Sequence, residues 1–325
     1  MDNQKKVIVV GSGNSGSGAI YDYLALRKDF IAPLNQEFRL IQDPDGIMDL
    51  HSSLVHGFHV NRANGAIKNF IDFCERCSRK KTKYQLGLNY SRDIPDFEKK
   101  VSRFIDEITS VEYTGMPFCE QSKLSKWETY VYRKRHKRAK KKGEKLLYGN
   151  VRLPVTEDLF LKAAERFLNT IFDDSQPENN GKHIAIDQGG SYWNPASSNT
   201  YYGKNGKTIV VSRDPRGVFS SFKTKGRAYP GYDVTLFCKW YKQMMLHVDY
   251  SEWEHEDVLH IQFEDFVKNF DEEKIKLDAF LGLPADVQTS LNVSRSAFNA
   301  EKYRNRLTSD EMKTIEDELE EYLYF

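Results

Sequence analysis

The octet Gly11-Ser12-Gly13-Asn14-Ser15-Gly16-Ser17-Gly18 follows the apolar run Val7-Ile8-Val9-Val10 directly. Its chemistry is anion binding. A glycine-rich turn between a buried strand and a helix leaves backbone N–H groups unpaired, and the helix dipole adds positive potential at the same point. Gly11 to Gly16 satisfies G-x-G-x-x-G, the dinucleotide fingerprint, but the acidic residue due about 20 positions later would have to be Glu37. The other reading is a phosphate loop of G-x-x-x-x-G spacing, with Ser17 where a nucleoside triphosphatase carries lysine, so ordinary ATP or GTP hydrolysis is not expected. A tight turn without a ligand is the third.

A second anion site is legible in SRDPRGVFSS, residues 212–221. Arg213 leaves a strand, Pro215 suits the first turn of a helix, and Ser221 lies eight residues after Arg213, with Lys223 and Lys225 beyond. A guanidinium and a hydroxyl converging on one phosphate give charge-assisted hydrogen bonds of about 1.5–3 kcal/mol each. The alternative is an Arg213–Asp214 pair capping the helix. Two such loops suit a nucleotide phosphorylated at two separate places.

The elements that must position these loops alternate. Strands are expected at Val7–Val10, Phe30–Pro33, His183–Asp187, Thr208–Ser212 and Val258–Phe263. Helices are expected from the glycine loop to about Arg27, over Thr156–Phe172 behind a Thr cap, after Pro215, over Asp233–Tyr250, and near 271–281 and 308–323. Residues 43–79 read as helical pieces broken at Gly46, Gly57 and Gly65. Residues 90–150 read as a charged, aromatic insertion with helices near 95–109 and 123–142. No internal repeat is present. The expected fold is therefore α/β, a parallel sheet flanked by helices, in one domain over 1–325 with a mostly helical insertion over residues 43–180. Ligands of such sheets sit at the carboxyl ends of the strands.

The pair GSGNSGSG and SRDPRGVFSS, with the later FEDFVKNFDEEKIKLDAFLGLP, resembles the sulfotransferase family that uses 3′-phosphoadenosine 5′-phosphosulfate (PAPS). The resemblance covers about residues 5–40 and 183–323 and implies a P-loop-like sheet in which residues 43–180 are an inserted acceptor region. It implies that Gly13, Asn14, Ser15, Gly16, Ser17 and Gly18 hold the 5′-phosphosulfate and that Arg213 and Ser221 hold the 3′-phosphate. FNAEKYRNRLTSDE is similar to the family's segment before its last helix, which implies that Lys302 and Arg304 close over the donor. Gln36-Glu37-Phe38-Arg39-Leu40-Ile41 resembles the Q-E-I-H-F-F stretch of heparan sulfate 3-O-sulfotransferases, whose glutamate is the base; Glu37 lies 23 residues after Asn14. Asp187 is the competing base, and Arg39 could help meet developing charge. Two features depart from the family: Asn14 stands where a basic residue is common, and Asp187-Gln188 stand where a strand-end lysine is frequent. The implied reaction is in-line transfer of a sulfuryl group from PAPS to a hydroxyl, of a carbohydrate above all, without metal. The alternatives are a nicotinamide or flavin oxidoreductase resting on GSGNSG and a non-catalytic nucleotide-binding scaffold.

Charge adds one further expectation. The 325 residues carry a formal net charge of +1, yet Lys123–Lys145 holds eleven basic residues against two acidic ones, leaving 37 basic and 45 acidic elsewhere. This run is a solvated helix face, or a contact for an anionic glycan or an anionic membrane surface. Nucleic acid is not expected, because no recognised nucleic-acid fold accompanies the run. No apolar run approaches the roughly 18 residues needed to span a bilayer. The N-terminus lacks a signal-peptide pattern, and four cysteines do not make a disulfide framework, so a cytoplasmic protein is expected, peripheral to the inner membrane surface at most. Cys74 and Cys77 have metal spacing near His51, His56 and His59, but structural cysteines on a helix are the simpler reading. Phe237, Trp240 and Tyr241 recur at helical spacing as core; Tyr192 and Trp193 suit either core or acceptor contact.

Overall fold

The computed structural model describes residues 4–34, 36–144, 149–174, 181–225, 228–284 and 293–325. Asn35, Lys145, most of the expected 173–182 loop, and the side chain of Lys225 lie outside this description. The chain forms two compact units, one of residues 1–42 and 172–325, the other of 43–171.

The first unit is built on β1 (Lys6–Gly11), β2 (Phe30–Ile31), β5 (His183–Asp187), β6 (Gly206–Ser212) and β7 (Val258–Gln262). They form a wholly parallel sheet in the order β2-β5-β1-β6-β7. Val7 to Val10 are fully buried, as a central parallel strand covered on both faces requires. One face packs Val7, Val9, Ala185, Ile209 and Val211 against Ile20, Tyr23 and Leu24 of α1 (Ser17–Ala25) and against Phe266, Leu277 and Leu281 further along the chain. The strand order separates β1 from β2 by β5. A dinucleotide-binding sheet instead sets its first strand beside its second, so the topology departs from the oxidoreductase alternative.

The second unit is mostly helical: α2 (Ile47–His51), a π-helical turn (Ser52–His56), α3 (Val60–Ser78), α4 (Phe97–Glu107), α5 (Lys126–Lys142) and α6 (Glu157–Asp174), the last running on into the first unit at Phe172. Phe104 stacks on Phe167 at 4.7 Å and meets Phe70 edge-on at 5.6 Å, which gives this unit its own aromatic core. Gly46 precedes the start of α2 and Gly57 ends the π-helical turn, but Gly65 breaks nothing; α3 runs straight through it. An isolated helix-interior glycine costs only about 1 kcal/mol relative to alanine, and the buried face of Ala63, Ile67, Phe70, Phe73, Cys74 and Cys77 outweighs it. A two-stranded antiparallel ribbon, β3 (Thr109–Thr114) with β4 (Asn150–Pro154), was not expected from the sequence. Cys74 and Cys77 are buried residues of α3 and form no disulfide.

The end of α1 is fixed by charge. Arg27 is buried and donates to Asp278 (2.5 Å), to the Tyr23 hydroxyl (2.8 Å) and to both carboxylate oxygens of Asp29 (2.9 and 2.7 Å). Removing one partner of a buried pair leaves an uncompensated charge. Asp278→Ala is therefore expected to lower the unfolding free energy by about 3–5 kcal/mol in urea melts; a loss below about 1 kcal/mol would show that Asp29 alone neutralises Arg27.

Candidate active site

The glycine loop joins β1 to α1 at the carboxyl edge of the sheet. Gly13 (φ 97°), Asn14 (φ 52°) and Gly16 (φ 89°) all take left-handed backbone conformations. Loops that mix left- and right-handed backbone can turn several N–H groups to one side, as anion-binding nests do. Two of the three positions also forbid a side chain for lack of room: a Cβ on Gly13 would lie 2.8 Å from the Tyr229 hydroxyl, and one on Gly16 would lie 2.3 Å from the Phe263 ring. Asparagine tolerates the left-handed region better than other non-glycine residues, which suits Asn14 to a role played by its backbone.

That role is visible in Arg213, at the carboxyl end of β6. Its guanidinium is buried, with Nη1 donating to the Asn14 carbonyl (3.0 Å) and to Ser221 Oγ (3.3 Å), and Nη2 donating to the Asn299 carbonyl (2.8 Å). The two loops singled out in the sequence thus meet at one side chain. Asp214 does not neutralise Arg213. It accepts from the Arg216 backbone N–H (2.7 Å) at the start of α7 (Pro215–Lys225) and pairs with the Arg216 guanidinium (2.6 Å). The carboxylate nearest Arg213 is Glu264, whose Oε1 is 4.0 Å from Nε; Nε itself has no hydrogen-bond partner among the described residues. Burial lowers the Arg213 pKa and raises that of Glu264. Ser15 Oγ is likewise buried without a partner among the described residues. A buried cation and a buried hydroxyl with spare donors, beside a nest of N–H groups, fit a phosphorylated ligand.

The C-terminal segment reaches the same place through Asn299. Its carbonyl takes Arg213, and its side chain accepts from Lys302. Arg304 instead lies over the ring of Tyr303 at 5.4 Å. Lys223 is engaged with Glu311 at 2.8 Å.

On the other side of β1, the end of β5 carries Asp187 and Gln188. Gln188 has φ 55°, which turns its carboxamide back to the loop: Nε2 donates to Ser17 Oγ at 3.0 Å, and Oε1 accepts from the Gly11 N–H at 3.4 Å. The Phe38 N–H donates to the Asp187 carbonyl at 2.7 Å and pins the Gln36–Ile41 stretch there. Glu37 is exposed and its carboxylate lies 3.1 Å from Arg39. Burial raises the Asp187 pKa to about 6, aided by the negative charges of Glu37 and Asp22 and opposed by Arg39. The structure therefore brings Glu37, Arg39 and Asp187 together beside the loop.

Sequence reasoning missed Gln188 as a loop contact and Tyr229 as the ring over Gly13. Tyr229 stacks on Phe222 at 4.3 Å. An aromatic residue following a helix was the only available signal. Tyr192 proves to be core: it is buried, shares a hydrogen bond with Ser12, and packs edge-on against Trp253 at 5.1 Å. Trp193 donates to the Met244 carbonyl at 3.0 Å. Phe237 and Tyr241 are buried, as expected of core.

Asp187 yields a pH test. Folded, it holds its proton to about pH 6, against 3.8 for its ordinary value, so the folded state binds more protons in between and loses stability as pH rises through that window. Asp187→Asn is expected to melt at the parent's temperature near about pH 4 and above it near about pH 7.5, because it removes the buried charge. Equal melting temperatures at both pH values would refute the raised pKa.

No protein family and no curated protein matches the sequence. Among solved structures, the mouse sulfotransferase SULT7A1 complexed with PAP is similar over 48% of this chain and 70% of that chain, at 15% identity and a TM-score of 0.28. A superposition that loose leaves the loop residues and the β6 end to support any function.

Proposed function

We propose that the chain is a PAPS-dependent sulfotransferase acting on a hydroxyl acceptor, a carbohydrate above all. The observation that carries this reading is Arg213, which joins the glycine loop through the Asn14 carbonyl and the β6 loop through Ser221. Two phosphate-binding loops meeting at one buried cation suit a nucleotide with phosphates at both its 5′ and 3′ positions. The resemblance of GSGNSGSG, SRDPRGVFSS and QEFRLI to sulfotransferase motifs supports it independently.

In this reading the N–H groups of Gly13 to Gly18, with Ser15 and Ser17, hold the 5′-phosphosulfate. Arg213 and Ser221 hold the 3′-phosphate, and Lys302 lies beside them. The donor, when bound, supplies a sulfuryl group activated by its phosphate leaving group. Glu37 accepts the acceptor's proton, a service worth roughly 10²–10⁴-fold. Asp187 is the more buried carboxylate of the pair and Arg39 tempers their repulsion. With no lysine at the β5 end, negative charge developing at the loop is met by backbone N–H groups, the loop serines and the Gln188 carboxamide.

The acceptor is proposed to be anionic. In α5 Ala139 is the sole buried residue, while Trp127 and Tyr130 are exposed and stacked at 5.7 Å beside the basic run. Such a helix, cationic with aromatic rings to lie along sugars, suits an acidic polysaccharide. Among the described residues no helix is long and apolar enough to cross a membrane.

Adenosine 3′,5′-bisphosphate is expected to raise the melting temperature, while NADP and 5′-AMP leave it in place. Arg213→Ala should abolish that shift, and Ser221→Ala should weaken binding about tenfold or more. Glu37→Ala should retain the shift yet lose transfer of labelled sulfate from PAPS by roughly 10²-fold or more. A response to NADP alone would overturn the reading, and a bisphosphate response without transfer to any acceptor would favour a scaffold. For α5, replacing Lys140, Lys141 and Lys142 by Gln should weaken retention on an acidic polysaccharide column. Unchanged retention would leave α5 a solvated face, and loss of binding to anionic vesicles instead would assign it to a membrane surface.

A further inference from the structure

The unit of residues 43–171 contains a second group of chemistry-bearing side chains, unrelated to the nucleotide loops. His51 ends α2, His56 ends the π-helical turn that follows, and Glu157 opens α6. One ligand atom from each lies within 4.8 Å of the other two. The two imidazole rings are 5.1 Å apart, and His51 Nε2 is 3.4 Å from Glu157 Oε1.

The backbone explains why two histidines five residues apart meet. An α-helix turns about 100° per residue, so positions i and i+5 point about 140° apart. Here the Gly57 N–H instead donates to the Ser52 carbonyl at 2.7 Å, the i→i−5 bond of a π-helix. The wider turn swings His56 round to the His51 side. Such single π turns are rare and occur often at functional sites. Phe160, one turn into α6 from Glu157, lies parallel to the His51 ring at 4.8 Å and 8°, which sets the ring's orientation. His51 is buried while His56 and Glu157 are exposed, so the cluster has a fixed inner ligand and an open side.

We propose that His51, His56 and Glu157 bind one divalent transition-metal ion, with Zn²⁺ as the ion the ligand set suits best. Two neutral imidazoles and one carboxylate match the three protein ligands of open zinc sites, with water in the fourth position. The carboxylate offsets part of the ion's charge. The ligands come from opposite ends of the unit's sequence, 51–56 and 157, so an ion there would clip α2 to the start of α6 across a chain of about a hundred residues. Closing a long loop in this way stabilises the folded state. His59 takes no part; its Nδ1 accepts from the Asn61 N–H and caps α3. The buried thiols of Cys74 and Cys77 are not in the group either.

The test titrates the metal-stripped full chain with Zn²⁺ by calorimetry and with Co²⁺ by visible absorption. One equivalent of Zn²⁺ should bind and raise the melting temperature, and Co²⁺ should give a visible d–d band without sulfur-to-metal charge transfer. His56→Ala and Glu157→Gln alter exposed side chains, so both should fold, and each should weaken Zn²⁺ binding more than about tenfold. Circular dichroism checks their folding, and adenosine 3′,5′-bisphosphate binding should stay unchanged in both. Absence of saturable binding, binding unaltered in both variants, or a thiolate charge-transfer band from Cys74 and Cys77 would each overturn the assignment.

Discussion

A buried guanidinium with too little negative charge around it organises the first unit. Arg213 meets two carbonyls and a hydroxyl at close range, while its nearest carboxylate, Glu264, stays 4.0 Å away. Burying a cation is tolerable only where groups of opposite polarity converge on it. Carbonyls from the glycine loop and from the Val293–Glu301 helix supply part of that polarity, so both segments are drawn to the end of β6. Asp214, the next residue in sequence, lends Arg213 only part of its negative charge. It is diverted instead to the start of α7 and to Arg216, with the backbone of Tyr324 donating to it as well. The sequence Arg-Asp-Pro-Arg thus sorts two cations and one anion into a capping pair and a second cation held mainly by carbonyls.

The glycine loop answers the same constraint from the other strand. For the Asn14 carbonyl to reach Arg213, the chain must turn outward there, and φ of 97° and 52° at Gly13 and Asn14 achieve this. The same left-handed backbone is what the proposed anion site in this loop requires. Phe263 lies under this joint, with its ring 5.0 Å from the guanidinium and in contact with Gly16. Core packing, loop conformation and charge placement are one arrangement here rather than three.

What was legible in the sequence follows from how local each signal is. The buried strands of the parallel sheet read as apolar runs because both their faces are covered, and the two loops declared themselves by glycine spacing and by Arg213 with Ser221. The β3–β4 ribbon did not. Its strands are 35 residues apart, and five of the six residues of Thr109–Thr114 are exposed, so neither turn chemistry nor alternating burial marked them. Gly65 misled because a breaker was weighed without the packing of the α3 face. The π turn at Ser52–His56 is a one-residue departure from α-helical bonding, invisible to a periodicity of 3.6, and with it went the meeting of His51 and His56. Gln188 was read beside Asp187 as a mere polar neighbour, because a positive φ on glutamine is set by tertiary context and has no sequence signature.

The base assignment shows how environment divides labour between like residues. Glu37 and Asp187 sit beside one loop, tied by the Phe38–Asp187 backbone bond. Burial raises a carboxyl's pKa and a neighbouring negative charge adds to the effect, so the one with less access to water holds its proton longer. Asp187 is that one, its pKa pushed up to about 6, whereas Glu37 is exposed and carries Arg39 as its partner. In the proposed reaction the base must meet an acceptor coming from solvent, which favours the exposed Glu37 over the buried Asp187. Deleting Asp187's charge would relax the repulsion without removing that proposed base, so the two carboxylates, chemically alike, are expected to be unlike in consequence.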